Sequence, residues 1–476
     1  MKIISALIFF LIICLKLSSM GIPNQFDTEK LNQFNLNQWI QNDNISAQTF
    51  LDISTTFIKF ISNWLSQQNL WPKNEIPLAK IKYIYETHNY KVVENNQDYY
   101  KSDYDLNYAA KWIIPPNIKV NIIGDIHGNF KIIKENLINM HRNNFITNNF
   151  ELTENNNLIF LGDYIDRGPH SLKVLTTIML LALKNPGRVF ILKGNHENVL
   201  ISCLNYDLEN HISKITSSVD IKNLILDRLS QMFEILPAFL LVGNYTKQNK
   251  IQYKLYSHAG LDLRLNFNEI LKLEPTKIND FNEIILKEIT KNDFLPRKDF
   301  INIINDFIKS SVSNENLIEN FFAPTCPIFG FLWNDIYINS EEIVIKQSNR
   351  PGNDLFVIGS KFIKFFFKKL ATPISKIVGI VRGHEHYLPR EISNLFKTFI
   401  FFFSPPIAYT IINSNYSYSL CLKESQIFNY KNFVIITLIG GSIIDQNYNP
   451  FIDYPSMFLQ IKLNNQDQYI YTPYIY

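Results

Sequence analysis

Thiols are scarce in this chain. Four cysteines, at positions 14, 203, 326 and 421, are spread over 476 residues, and no C-x-x-C occurs. That excludes a disulfide framework and a thiolate metal site, and leaves room for at most one bridge among Cys203, Cys326 and Cys421. Excess charge is nearly absent too: 46 Lys and Arg against 43 Asp and Glu leave a net +3. So small an imbalance points neither to nucleic acid nor to an anionic membrane surface, and no nucleic-acid partner is expected. A run long enough for a comfortable transmembrane helix, about 20 apolar residues, is also missing. The N-terminal apolar stretch Ile3–Leu15 stops at Lys16. No internal repeat is visible.

What is present is enough apolar material, 46% of residues, to bury a large core. Lys2, the apolar stretch behind it and the small residues Ser18, Ser19 and Gly21 have the layout of a secretory signal peptide. Residues 1–20 are therefore expected to be removed and the protein to enter the secretory pathway or leave the cell. An uncleaved anchor or a buried helix is the alternative. Three N-x-[ST] triplets, at Asn44, Asn244 and Asn415, fit that route but are common by chance in an Asn-rich chain.

Residues 21–45 are polar and read as a loosely ordered lead-in. Apolar residues then recur at helical spacing from Phe50 to Leu65, which predicts one amphipathic helix or two short ones over 46–71. "AKIKYIYETH" (79–88) predicts another, and 94–110 a loop. Residues 21–78 are assigned to a lead-in with a helical extension, 79–465 to one domain with an insertion around 263–330, and 466–476 to a tail. Within the insertion "NEIILKEI" (282–289) and "FINIINDFIKSS" (300–311) read as helices. "KFIKFFFKKL" (361–370) reads as a helix with a buried aromatic face and a solvated basic one. Later runs, "KTFIFFFS" (397–404), "NFVIITLIGG" (432–441) and "MFLQIKL" (457–463), read as strands.

Between residues 119 and 196 apolar strands alternate with helices: "KVNIIGD", "FKIIKENLINMHRN", "NNLIFLGD", "SLKVLTTIMLLALKN" and "RVFILKGNH". That order predicts parallel strands joined by crossover helices, buried on both faces. Each strand ends in a tight polar turn: "GDIHG" (124–128), "GDYIDRG" (162–168) and "GNHE" (194–197). Ligands of open α/β sheets bind outside the carboxyl ends of the strands. The three turns thus bring Asp125, His127, Asp163, Asp166, Arg167, Asn195, His196 and Glu197 to one place. Carboxylate, imidazole and carboxamide suit a divalent metal, and several such groups near one point repel without cations between them. Arg167 adds a planar donor fork that matches phosphoryl oxygens. Further along, "VRGHEHY" (381–387) places His384 and His386 on one face of a strand, as metal ligands or as strand residues with exposed tips.

These motifs resemble the three signatures of the phosphoprotein phosphatase (PPP) family of protein serine/threonine phosphatases, within the calcineurin-like metallophosphoesterases. "ILPAFLLVG" (235–243), "LYSHAGLD" (255–262), "FLWND" (331–335), "SNRPGNDLFVIG" (348–359) and "VRGHEH" (381–386) extend the likeness over roughly 79–463. The fold it implies is an α/β sandwich of two central mixed sheets flanked by helices, here with an N-terminal helical extension. It also implies two divalent ions, Mn2+ foremost with Fe or Zn as alternatives. One would be held by Asp125, His127 and Asp163, the other by the bridging Asp163 with Asn195, His258 and His384. A metal-bridging hydroxide would attack phosphorus directly. His196, oriented by Asp166, would be the general acid, and Arg167, Asn195 and Arg350 would contact the phosphate. The PPP family lacks a counterpart of His386, but the wider superfamily often ends in Gly-His-x-His, which implies that His386 completes the first metal site.

The departures bear on substrate. Lys193 stands where the family has Arg, Asn129 where it has Gln, and "TLIGGSIID" (437–445) where it carries Ser-Ala-Pro-Asn-Tyr, so the active-site tyrosine is missing. "SHAG" looks more like bacterial members and diadenosine tetraphosphatases. The expected activity is hydrolysis of phosphorylated proteins. Hydrolysis of nucleotides or other small phosphates is the alternative, and a catalytically dead binding module, which loss of ligands would mark, is a third.

Overall fold

The computed structural model describes residues 31–67, 108–115, 118–199, 202–203, 208–273, 284–308, 315–322, 329–337, 345–347, 356–384, 407–412, 417–421, 426–429, 433–438, 442–444, 450–453, 457–463 and 468–475. The signal-peptide layout of 1–20, the helix expected at 79–88, the strand expected at 397–404, Arg350 and His386 lie outside the described residues.

Two sheets organise the molecule. In chain order their strands are β1 (Tyr108–Ile113), β2 (Lys119–Ile123), β3 (Asn156–Phe160), β4 (Val189–Ile191), β5 (Phe239–Tyr245), β6 (Ile251–Ser257) and β7 (Ile284–Glu288). There follow β8 (Asp335–Tyr337), β9 (Ile345–Gln347) and β10 (Phe356–Gly359), a small separate sheet, then β11 (Ser375–Arg382), β12 (Ile407–Ile412), β13 (Ser417–Cys421), β14 (Gln426–Asn429) and β15 (Phe433–Leu438). Last come the pair β16 (Ser442–Ile444) and β17 (Pro450–Asp453), then β18 (Met457–Leu463) and β19 (Gln468–Ile475). The larger sheet runs β13-β12-β15-β11-β6-β5-β1-β7 and the other β14-β19-β18-β2-β3-β4. Both mix parallel and antiparallel neighbours. β2, β3 and β4 are parallel, with Asn121 opposite Leu158 and Ile159 opposite Phe190, as the alternating pattern predicts.

Inward residues of the two sheets meet in one apolar layer: Trp112, Val242 and Ile436 from the larger, Ile122, Ile159 and Leu459 from the smaller. Helices cover the outer faces. α1 (Leu36–Trp39), α2 (Ala47–Gln67), α3 (Phe130–Arg142), α4 (Ser171–Lys184), α5 (Leu208–Ile215) and α6 (Val219–Glu234) build the core outside the smaller sheet. α7 (Phe267–Lys272), α8 (Arg297–Ile308), α9 (Glu315–Phe322), α10 (Phe329–Trp333) and α11 (Ser360–Lys369) pack outside the larger one. Phe50, Ile53, Phe57 and Phe60 form the buried stripe of α2, at the spacing seen in the sequence. Burial contributes roughly 1.5–3 kcal/mol per large apolar side chain, so α2 belongs to the fold's core. Among the described residues no helix is long and apolar enough to cross a membrane.

Several segments differ from the sequence expectation. "NEIILKEI" forms β7, an edge strand antiparallel to β1, and not a helix. Its Ile-rich run pairs as a ribbon because β1 offers it an open edge. Residues 108–110, expected in a loop, are the start of β1 and fully buried. Residues 468–475, expected in a tail, are β19, antiparallel to β18. The lead-in is not loose from residue 31 onward: Leu36 is buried, and Trp39 Nε1 donates to Thr177 Oγ1 at 2.9 Å while Lys173 Nζ lies 3.4 Å from the centre of its ring. The Asn244 triplet is unsuited to a glycan, because that side chain is buried in β5 and donates to Ile114 O at 3.2 Å.

Candidate metal centre

The carboxyl ends of β2, β3 and β4 and those of β6 and β11 converge. The turns after β2, β3 and β11 are bent by an unusual backbone. His127, Asp163, Asp166, Arg167 and His384 have φ between 49° and 70°, the left-handed region that ordinary residues avoid. Gly162 (φ 112°) is packed so closely that a Cβ would lie 2.6 Å from Gly194 Cα. Strain concentrated on site residues persists only where the surroundings hold it.

Much of the holding comes from one carboxylate. Glu197, fully buried, accepts from the amides of Asp163 (2.8 Å), Tyr164 (2.9 Å) and Gly194 (2.7 Å), and so ties the turn after β3 to the turn after β4. A second tie runs between the sheets: the amide of His384 donates to both oxygens of Asp125, at 3.0 and 3.1 Å. Asn129 caps α3 through Lys131 N, which gives the Asn in the first motif a local structural use.

Asp163 stands at the middle. Its Oδ2 lies 3.5 Å from His127 Nε2 and 3.9 Å from His196 Nε2, and its Oδ1 lies 3.3 Å from His258 Nε2. Two groups able to hold an ion share it: His127 with Asp163 and His196, and Asp163 with His258 and His384. Asn195 Oδ1 sits 2.8 Å from His258 Nε2 and 3.0 Å from His384 Nδ1, and those two nitrogens are 3.0 Å apart. Each ring nitrogen can donate to that oxygen when it carries a proton or, when it does not, face a cation together with it. Asp163 Oδ2 is buried with no hydrogen-bond partner, as suits a ligand atom. The donor set fits divalent cations, and the cluster is able to bind metal.

The electrostatics agree. Burial pushes the Asp125 carboxyl up, His258 opposes this, Asp163 adds to it, and the result is about 7. For Asp163 burial is outweighed by His258 and His196, so it is held well below the usual carboxylate range. Burial would lower the His258 imidazole, but Asp163 and Asp125 raise it to about 9.

Beside the cluster, His196 Nδ1 lies 2.7 Å from Asp166 Oδ2, and Arg167 Nη2 lies 3.3 Å from His196 Nε2. Arg167 is half-buried and His196 and Asp166 are buried, so the guanidinium marks the mouth of the site. The structure therefore brings together Asp125, His127, Asp163, Asp166, Arg167, Asn195, His196, His258 and His384. Residues with no role in the sequence reading join them. Ser202 Oγ donates to Asp166 Oδ2 at 2.8 Å, and Asp335 Oδ1 lies 3.9 Å from His384 Nε2. Asp335 falls within the "FLWND" stretch, which was its signal; Ser202 lies in an unremarkable sequence and had none.

Parts of the chain are similar to known phosphatases. The chain is 32% identical over 126 residues to the serine/threonine-protein phosphatase PP2A-like PPG1 of Candida albicans, a span of 26% of this chain and 27% of that one. It is 36% identical over 90 residues to the serine/threonine-protein phosphatase 6 catalytic subunit of Caenorhabditis elegans, 19% of this chain and 24% of the relative. The matches thus span about a quarter of these curated relatives' length. A solved protein serine/threonine phosphatase from Saccharomyces cerevisiae, with similarity to human PP5, aligns over 77% of this chain and 84% of its own at 16% identity and a TM-score of 0.40. The calcineurin-like phosphoesterase model matches residues 118–388, more than half of the chain and every described residue of the centre, and the protein belongs to that family.

Proposed function

We propose that the protein is a metal-dependent phosphomonoester hydrolase of the PPP type, acting on phosphoserine and phosphothreonine in proteins. The observation that carries this reading is the buried His196–Asp166 pair, 2.7 Å apart, beside Asp163, which belongs to two groups able to hold an ion, one of them including His196 itself. Asp125, His127 and Asp163 would hold one cation, and Asp163, Asn195, His258 and His384 the other. Bound divalent ions would activate water and offset charge on the phosphoryl group. Arg167 would orient the phosphoryl oxygens with its fork and stabilise the charge that grows there. His196 would give its proton to the departing serine or threonine oxygen, and Asp166 would hold the imidazole aimed at it. Mn2+ is the first choice of metal, on the resemblance of the motifs. The layout of residues 1–20 supports action in the secretory pathway or outside the cell.

The test is a panel of phosphopeptides, dinucleoside polyphosphates and p-nitrophenyl phosphate, assayed with Mn2+, with metal content measured on the same sample. Turnover of phosphopeptides with two ions per chain is expected. Turnover of nucleotides alone would overturn the protein-phosphatase reading.

A further inference from the structure

A second polar pocket lies at the opposite end of the larger sheet. The turn between β5 and β6 and the turn before β11 enclose a cavity of about 190 Å³. Lys250 and Lys376 line it with Thr246, Gln248, Thr372 and Ser375, and none of its lining residues is acidic. Lys247 lies on the same turn as Lys250. The Lys376 amine is lowered by burial and by the charge of Lys250, so the two ammonium groups feel each other. Like charges held together at a concave surface are offset by an anion between them. Both walls are pre-ordered: Thr246 Oγ1 accepts from Gln248 N and Lys250 N, and Thr372 Oγ1 accepts from Ser375 N at 2.8 Å. Ile374, 43% exposed, forms an apolar lip.

We infer that this pocket is a second anion site that takes a phosphate group between Lys250 and Lys376, with the hydroxyl and amide side chains around it completing the contacts. It is separate from the metal centre. Ser375 pairs with Ile251 at the start of β11 and β6, and those strands run to Arg382 and Ser257, next to His384 and His258, at the other end. Seven residues of strand span about 20 Å. The inference does not depend on the reading of the metal centre.

The test is calorimetric titration of the full chain with inorganic phosphate, repeated in EDTA so that cations contribute nothing. Wild type should bind phosphate in EDTA. The Lys250→Gln/Lys376→Gln double variant should bind at least tenfold more weakly with an unchanged thermal midpoint. The isosteric Asp163→Asn variant should keep this event. Flotation with phosphatidylcholine vesicles, with and without phosphatidic acid, separates the sources. Capture of wild type by the acidic vesicles and not of the double variant assigns a lipid headgroup, and phosphate binding without capture assigns a soluble anion. No phosphate binding in EDTA together with no capture, or binding or capture that the double variant retains in full, overturns the site.

Discussion

His196 Nδ1 and Asp166 Oδ2 lie 2.7 Å apart and both side chains are buried. Ser202 Oγ donates to the same oxygen, so the carboxylate is fixed before substrate arrives. In the proposed mechanism the pair supplies a proton without holding metal. Asp166→Asn and His196→Asn should each lower turnover by roughly 10²-fold or more, with metal content near that of wild type. His196 also lies within reach of an ion beside His127 and Asp163. Loss of one ion per chain in His196→Asn, read by elemental analysis, would instead make it a ligand.

Asp163 belongs to both donor groups. Asp163→Asn keeps an oxygen for the His196 amide, which Asp163 Oδ1 accepts at 3.0 Å, but removes the charge that both cations would share. Turnover should vanish and the affinity of both ions should fall. Wild-type turnover in that variant would contradict a shared centre.

Metal loading should depend on pH. His258, raised to about 9, must release its proton before Nε2 can bind an ion. Affinity should therefore fall roughly tenfold per unit as pH drops from 9 toward 7. Below about 7 Asp125 takes up a proton too, and the fall steepens. Mn2+ calorimetry in two buffers of different ionisation enthalpy counts the protons released. A flat profile between pH 6 and 9 would refute the linkage.

Glu197 satisfies three buried amides on two turns. Glu197→Ala would leave them without acceptors, at a cost of roughly 3 kcal/mol or more. Urea unfolding should show a lower midpoint, and Mn2+ binding should weaken as the turns separate. Unchanged values of both would show that water or another group replaces the carboxylate.

The parallel strands were legible because β2, β3 and β4 are buried on both faces and read as short apolar runs between helices. The motif ligands were legible because each closes such a run. β1 was not, because Lys111 interrupts it. That amine is buried, and donates to Ile270 O and Leu271 O at the C-terminal end of α7, a partner 159 and 160 residues away in sequence. β7 was missed because "NEIILKEI", an apolar triplet between polar and charged residues with Ile289 beyond, suits a helix face as well as an edge strand. The same limit hid Ser202: a serine gains meaning only once the fold sets Asp166 beside it.

The bond between His384 N and Asp125 joins positions 259 apart. Chains emerge from the ribosome N-terminal end first, at about 5–20 residues per second. The three motifs between 124 and 197 can thus be in the cell for many seconds with His258 and His384, two of the nine residues of their centre, still unsynthesised. Asp163 and its neighbours are then a set of acidic and imidazole groups without their closing wall. Catalytic competence would be acquired late and all at once, after translation has passed His384, so a truncated product ending before that residue would carry all three signatures and none of the proposed activity.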